Sequence, residues 1–323
     1  MLINEGTYWR LTSPFEDEVA AWMSVSRAKD RALVSVVRLY AEANAAACYV
    51  KLKGLESDAV YIEENTGRQY TGAALMNAGI PLPFAVKEYE AYQFSFIRLD
   101  EAKKLYDEIK KVCGNLKLSE ADTADSSSDK RIVISIYGGS GKTTIAAALQ
   151  QYFLKDNTAC YVLTGDNYPH RIPMRNDEER LNVYNESGED GLRGYLGTPK
   201  EIDFDRINKE LSEFKEGKDI IEIKHMGRQD GDISYDETDF TGIKVLILEW
   251  THGGSEYLKG VDIPVFLESS PEETKARRIK RGRDENAASP FICRVVELEQ
   301  EKLDLQSKNA RIVVGKDGKV YEQ

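Results

Sequence analysis

Seven consecutive residues, Gly138-Gly139-Ser140-Gly141-Lys142-Thr143-Thr144, carry the plainest chemistry in this chain. An apolar run, Ile132 to Ile136, leads into them, and an alanine-rich helical pattern, Thr143 to Leu154, follows. Strand, glycine turn, Lys-Thr and helix are the parts of a phosphate-binding loop. Glycines let backbone N–H groups turn onto phosphate oxygens, and the helix N-terminus adds partial positive charge. In that arrangement Lys142 reaches the outer phosphates of ATP, and the Thr143 hydroxyl is a ligand for Mg²⁺. Spacing departs from the usual G-x-x-x-x-G-K-[ST]: the position of the first glycine holds Ile136, so the loop is about two residues short. The competing reading is a glycine turn before an ordinary helix.

Other chemistry-bearing residues stand where a parallel sheet would bring them to the same crevice. The run Cys160–Thr164 ends in Gly165-Asp166-Asn167-Tyr168. A carboxylate at a strand end can accept the proton of an attacking hydroxyl, which is one role for Asp166; capping the next turn is the other. The run Lys244–Glu249 also ends in an acid. Glu249 can orient Mg²⁺ or assist the base, or it can simply face solvent. Trp250 fits a sugar face or a core equally well. Arg277, Arg278, Arg281 and Arg283 crowd a helical pattern. Arg281 and Arg283 suit a lid that balances charge during phosphoryl transfer, although charge runs are usually solvated. Between Asp166 and Asp205 lies a long polar stretch with His170, Arg171, Arg175, Arg180 and Arg193. Such insertions form substrate walls or lids, so Tyr168, His170, Arg171 and Arg175 are candidate substrate contacts.

The elements that must position these residues fall into two styles. Residues 1–99 hold short strands, at Ala32–Val37, Cys48–Leu52, Ala59–Ile62 and Tyr92–Leu99, separated by turn signals such as Asn77-Ala78-Gly79. They predict a small antiparallel β-sandwich. Residues 100–130 predict a helix over 100–113, capped by Asp100 with Ala102, Leu105, Ile109 and Val112 on one face, and then a serine-rich flexible linker. In residues 131–323, apolar β runs (Ile132–Tyr137, Cys160–Thr164, Lys244–Glu249, Ile263–Glu268, Arg311–Val314) alternate with helical patterns (Thr143–Leu154, Asp205–Glu216, Pro271–Lys280, Val295–Lys308). Continuous apolar strands predict a doubly wound parallel α/β sheet with its site at the strand C-terminal ends.

Composition bounds the partners. The 323 residues carry a formal charge of −11, which argues against nucleic acid or an anionic membrane. No run of about 18 apolar residues predicts a spanning helix, and the N-terminus lacks the basic-then-apolar pattern of a signal peptide. Cys48, Cys113, Cys160 and Cys293 are widely spaced, as expected of reduced cytoplasmic thiols. His170, His225 and His252 have no zinc-ligand spacing.

With these motifs placed, residues 131–323 resemble the uridine-kinase-like and phosphoribulokinase-like branch of P-loop kinases, through GGSGKTT, GDNY, TPKEIDFD, LILEW and RRIKRGRDE. The longer strings GDNYPHRIPMRNDEER and LEWTHGGSEYLKGVDIPVFLESSPEET are similar to the sucrose kinase part of bifunctional α-galactosidase–sucrose kinases. Residues 1–99 resemble the β-sandwich that trails the barrel of raffinose-type α-galactosidases, through TYWRLTSPFE, LKGLESDAVY and TGAALMNAGIPLP. The resemblance implies transfer of the ATP γ-phosphate to the 6-hydroxyl of the glucose unit of sucrose. Lys142 and Thr143 match its phosphate lysine and Mg²⁺ hydroxyl, Asp166 its base, and Glu249 its strand-end acid. Where the related loop reads GGSGSGKTT, two residues are absent here. No barrel precedes the sandwich in these residues, so no glycosidase activity is expected of them. The partner expected is a small sugar; homo-oligomer formation through the sandwich is compatible with this reading.

Overall fold

The computed structural model describes residues 5–15, 17–40, 47–83, 88–115, 130–139, 141–269, 289–316 and 318–323. The chain divides into two compact units, Met1–Lys103 and Lys104–Gln323.

The first unit is built on alternation. In β3 (Arg31–Arg38), Ala32, Val34 and Val36 turn inward while their neighbours stay partly exposed. Its partners β1 (Thr7–Thr12), β2 (Val19–Val25), β5 (Val60–Glu63), β6 (Gln69–Thr71) and β8 (Ala91–Arg98) complete an antiparallel sheet of order β1-β2-β3-β8-β5-β6. The opposing layer is the short pair β4 (Tyr49–Val50) and β7 (Ile80–Pro81), with helix α1 (Gly72–Asn77). Met23, Val34, Leu75, Ile80 and Phe96 share the core between them. Helix α1 was not expected. Thr71 caps it by accepting from the Ala74 N–H at 3.1 Å, and the turn signal at Asn77-Ala78-Gly79 is its end. Helix α2 (Asp100–Asn115) buries Ala102, Leu105, Ile109 and Val112 completely, as their spacing predicts. Asp100 is not a side-chain cap: it is already helical, and its carboxylate accepts from Arg98 at 2.5 Å.

In the second unit, every residue of β9 (Ile132–Gly138) is buried, as a strand covered on both faces requires. It is central in the order β10-β13-β9-β14-β15-β16, formed with β10 (Cys160–Thr164), β13 (Val245–Glu249), β14 (Ile263–Leu267), β15 (Ile312–Val314) and β16 (Val320–Glu322). The first five run parallel. The expected all-parallel sheet is corrected at its edge, where β16 pairs antiparallel with β15.

Helix α3 (Lys142–Lys155) follows β9 and packs on β9, β10 and β13. Ile207, Leu211 and Phe214 of α5 (Phe204–Lys215) join Val133, Leu246 and Leu248 in one core. Leu303 of α6 (Pro290–Gln306) joins Tyr137, Phe266 and Val313 in another. Two elements were not expected: the long helix α4 (Pro173–Tyr195), interrupted at Gly188, and a hairpin of β11 (Ile220–Met226) and β12 (Ile233–Asp239). The helix expected over 271–280 lies outside the described residues. Among the described residues, no helix is long and apolar enough to cross a membrane.

Candidate active site

Strand order fixes where the site forms. β9 lies between β13 and β14, while its sequence neighbour β10 lies beyond β13, so the strand order switches at β9 and opens a crevice at its C-terminal end. Gly138 ends β9 with φ +118°, and a Cβ there would fall 2.2 Å from the Leu267 carbonyl oxygen of β14. Only glycine lets the chain turn so close to that backbone. Four residues later α3 begins at Lys142, with Gly141 at the N-cap in the left-handed region, φ +97°. The Gly141 carbonyl accepts from the Ile145 N–H at 3.0 Å, which closes the first turn. The first N–H groups of any helix lie outside its own hydrogen-bond ladder, which makes a helix start a natural place for an anion.

Lys142 folds back over this turn. Its Nζ donates to the carbonyls of Gly138 at 3.0 Å and Gly139 at 2.6 Å, so its charge lies on the loop. Thr143 Oγ1 donates to Glu249 Oε2 at 2.9 Å, linking the start of α3 to the end of β13. Ser140 lies outside the described residues; Thr144 follows in the first helical turn.

Thr164, Glu249 and Ile136 stand on one rung of the sheet. Glu249 is buried, and burial pushes its carboxyl above the usual range, against the hydroxyls of Thr143 and Thr164 that favour the charged form. The neighbouring charge of Asp166 pushes it up further, while Lys142 pulls it down. The solvent-facing alternative for Glu249 is thereby removed. Asp166 is exposed on a single 3₁₀ turn, Gly165–Asn167, directly after β10. The hydroxyls of Thr143 and Thr164 meet the carboxylate of Glu249 here, and these oxygen donors suit a hard cation such as Mg²⁺.

Several expected substrate contacts have other surroundings. Tyr168 is fully buried in the core that includes Trp250, and its hydroxyl donates to Glu210, so it offers nothing to a solvent-borne sugar. Trp250 is 2% exposed and packs against Phe204, which removes the sugar-stacking reading. The tight fit needs Gly165, where a Cβ would lie 1.9 Å from Trp250 Cγ. His170 is exposed, with Nε2 3.0 Å from the Pro199 carbonyl oxygen. Arg171 pairs with Glu179 at 3.4 Å, and Arg175 with Glu178 at 2.9 Å and Asp230 at 2.6 Å. Arg281 and Arg283 lie outside the described residues, as do Arg277 and Arg278.

The sequence reading also missed two buried polar clusters beside the crevice. In one, Arg180 bridges Glu201 at 2.6 Å and Glu299 at 3.1 Å, tying α4 to α6. His252, buried three residues after Glu249, lies against this cluster, and burial holds its imidazole below the usual range. In the other, Glu210 of α5 receives Tyr168 and Arg206. Within these clusters only Arg206 and Glu210 are an i,i+4 pair on one helix; the bonds of Arg180 to Glu201 and Glu299 and of Tyr168 to Glu210 join residues far apart in sequence.

Comparison with known families agrees with this geometry. Residues 132–314 match the phosphoribulokinase/uridine kinase family, from the first residue of β9 to the last of β15. The chain belongs to that family. The kinase-family match leaves the N-terminal unit uncovered, and there residues 19–96 match the C-terminal domain of glycosyl hydrolase family 36. The bifunctional alpha-galactosidase/sucrose kinase AgaSK of Mediterraneibacter gnavus is 69% identical over 324 residues, covering 100% of this chain and 34% of the relative. Alpha-galactosidase AgaA of Geobacillus stearothermophilus is 47% identical over 88 residues, covering 27% of this chain and 12% of the relative. A solved structure of the galactosidase domain of AgaSK shares 71% identity over 30% of this chain and 14% of its own, at a TM-score of 0.30. The chain thus spans 34% of the length of AgaSK, and its match to AgaA covers 12% of that relative.

Proposed function

We propose that this chain transfers the γ-phosphate of ATP to a hydroxyl of a neutral sugar, specifically the 6-hydroxyl of the glucose unit of sucrose, giving sucrose 6-phosphate. The observation that carries the reading is the convergence of Lys142, Thr143, Glu249 and Asp166 around one glycine turn at the strand ends. Sucrose enters from the name of the AgaSK relative, which is 69% identical.

In mechanism, the turn and the start of α3 receive the phosphates. Lys142 exchanges the Gly138 and Gly139 carbonyls for phosphate oxygens. Thr143 and Glu249 would hold Mg²⁺, which when bound supplies positive charge beside the phosphates. Asp166 orients the sugar hydroxyl and takes its proton as the new O–P bond forms and the bond to the ADP oxygen breaks. The proton then passes from Asp166 to solvent. Arg281 and Arg283 are proposed to close as a lid and balance charge.

The charge of the wall favours a neutral acceptor over a sugar phosphate. Arg171, Arg175, Arg180 and Arg206 each already have a carboxylate partner within the chain. A second reading, nucleotide or carbohydrate binding without turnover, is favoured only by the short loop; kinases of nucleosides or sugar phosphates are the same-class alternative. A cytoplasmic location, an independently folding kinase part in residues 131–323, and self-association through the N-terminal unit are further proposals. No glycosidase chemistry is proposed for these residues.

Asp166→Asn is the test. It should keep ATP affinity but lower kcat by about 100-fold or more, the scale of a positioned base. Unchanged turnover would remove Asp166 from the mechanism.

A further inference from the structure

The short turn that carries Asp166 is held by buried polar groups in a way that ordinary packing does not require. Its own closure is one bond, from the Tyr168 N–H to the Gly165 carbonyl at 3.1 Å. The further hydrogen bonds that fix it come from α5, the residues before it, and β11. The Met226 N–H donates to Asn167 Oδ1 at 3.3 Å. The Asp203 N–H donates to the Tyr168 carbonyl at 2.8 Å. Lys224 Nζ donates to the Pro169 carbonyl at 2.9 Å and lies 3.7 Å from Asp203 Oδ2. The Tyr168 hydroxyl donates to Glu210, whose other oxygen accepts from Arg206 Nε at 2.6 Å and the Lys224 N–H at 3.1 Å.

These anchors are costly to bury. Glu210 and Lys224 are each 2% exposed and Tyr168 is 0% exposed. Burial pushes Glu210 up and Lys224 down, each toward its neutral form. Tyr168 shares its core with Ile202, Phe204, Ile207, Ile223 and Trp250. For stability alone, apolar side chains of similar volume serve as well as a buried ion pair, or better. What polar groups add is direction, and here their bonds reach residues 167–169 next to Asp166, at the Asn167 side chain, the Tyr168 hydroxyl and carbonyl and the Pro169 carbonyl.

We propose that Tyr168, Glu210 and Lys224 are positioning residues that hold the Asp166 turn in the orientation needed to accept the proton of the sugar hydroxyl. This rests on the reading of Asp166 as the base. It also gives Tyr168 a role that its sequence position suggested wrongly: it acts through Glu210 and the backbone, without touching sugar. Arg206, Asp203 and Glu222 face the same groups, so the network's charges are balanced by more than one partner.

The experiment is a double-mutant cycle on the full chain, read by kcat, by KM for ATP and for sucrose, and by thermal melting. Tyr168→Phe keeps the ring and removes the bond to Glu210. It should lower kcat about 10- to 100-fold, the scale of a misplaced catalytic group, while KM for ATP stays within about twofold. Combined with Asp166→Asn, it should add no further loss. Glu210→Gln keeps an acceptor for the Tyr168 hydroxyl and should lose less than Tyr168→Phe; it carries the same cycle if Tyr168→Phe does not fold. Wild-type turnover in Tyr168→Phe, or losses that multiply with Asp166→Asn, would overturn the proposal. Should Asp166→Asn alone leave turnover intact, the failure would lie in the base assignment, and the positioning role would fall with it.

Discussion

Replacing Glu249 by glutamine separates function from stability at this site. The carboxylate is 9% exposed and accepts from Thr143 Oγ1 at 2.9 Å. Glutamine keeps the size and one acceptor oxygen but removes the charge. Each hydroxyl bond then falls from a charged-acceptor value of about 1.5–3 kcal/mol to a neutral one of about 0.5–1.5 kcal/mol. Against that loss stands the relief of a buried charge. Burial is the largest influence on Glu249 and its net effect is upward, so relief outweighs the lost bonds. The variant should be as stable as the natural chain at pH 7, or more stable by about 1 kcal/mol, which for this size raises Tm by about 2–4 °C.

Linkage fixes the pH dependence. A carboxyl raised in the folded state contributes stability in full below its unfolded pKa of about 4.3 and loses it as pH rises through the raised folded value. The advantage of Glu249→Gln should therefore grow as pH rises out of the carboxylate range and then level off. Turnover should move oppositely, falling about 100-fold or more as charge at the phosphate site is lost. Melting curves at stepped pH and ADP release on the same protein are the assays. A stability loss of several kcal/mol would show that the charge of Glu249 holds the fold together, and unchanged turnover that it has no part in phosphoryl transfer.

Two further predictions follow from buried contacts of the second unit. Burial holds His252 below the usual imidazole range, so stability should fall as pH drops below the unfolded value of about 6.5, and His252→Gln should flatten that part of a melting-against-pH curve. Tyr106 of α2 is 5% exposed and its ring lies 5.0 Å from Phe153 and 5.5 Å from Tyr152, so a chain beginning at Asp100 should stay soluble and active. One beginning at Ser126 uncovers this aromatic contact, worth about 1.5–3 kcal/mol for Tyr106 alone, and should melt earlier; equal melting temperatures would show that α2 is dispensable.

What could be read from the sequence had local signals. β9, the glycine turn and α3 follow from an apolar run, Gly138, Gly141 and an alanine-rich helix, each a short-range preference. Glu249 was legible because an apolar strand ending in an acid leaves the acid at the crevice. Helix α4 gave no such signal. Ile172 provides no side-chain cap, and among its described side chains only Asn176, Leu192 and Tyr195 are buried. The hairpin has no such signal either, because β12 is mostly exposed and polar, with no apolar alternation to mark it. Tyr168 looked like a substrate contact because it follows Asp166. Its burial is decided by Trp250 and Glu210, which only the fold brings near.

The most direct measurement is ADP release from Mg²⁺·ATP with sucrose, glucose, uridine and ribulose 5-phosphate offered separately to the full chain. Sucrose-dependent release is expected, with a much weaker signal from uridine and ribulose 5-phosphate and a product phosphorylated on the glucose 6-hydroxyl. ADP release driven best by ribulose 5-phosphate or uridine would contradict the neutral-sugar assignment. No release with any acceptor, from a chain that still binds ATP, would contradict the kinase itself and leave a binding protein.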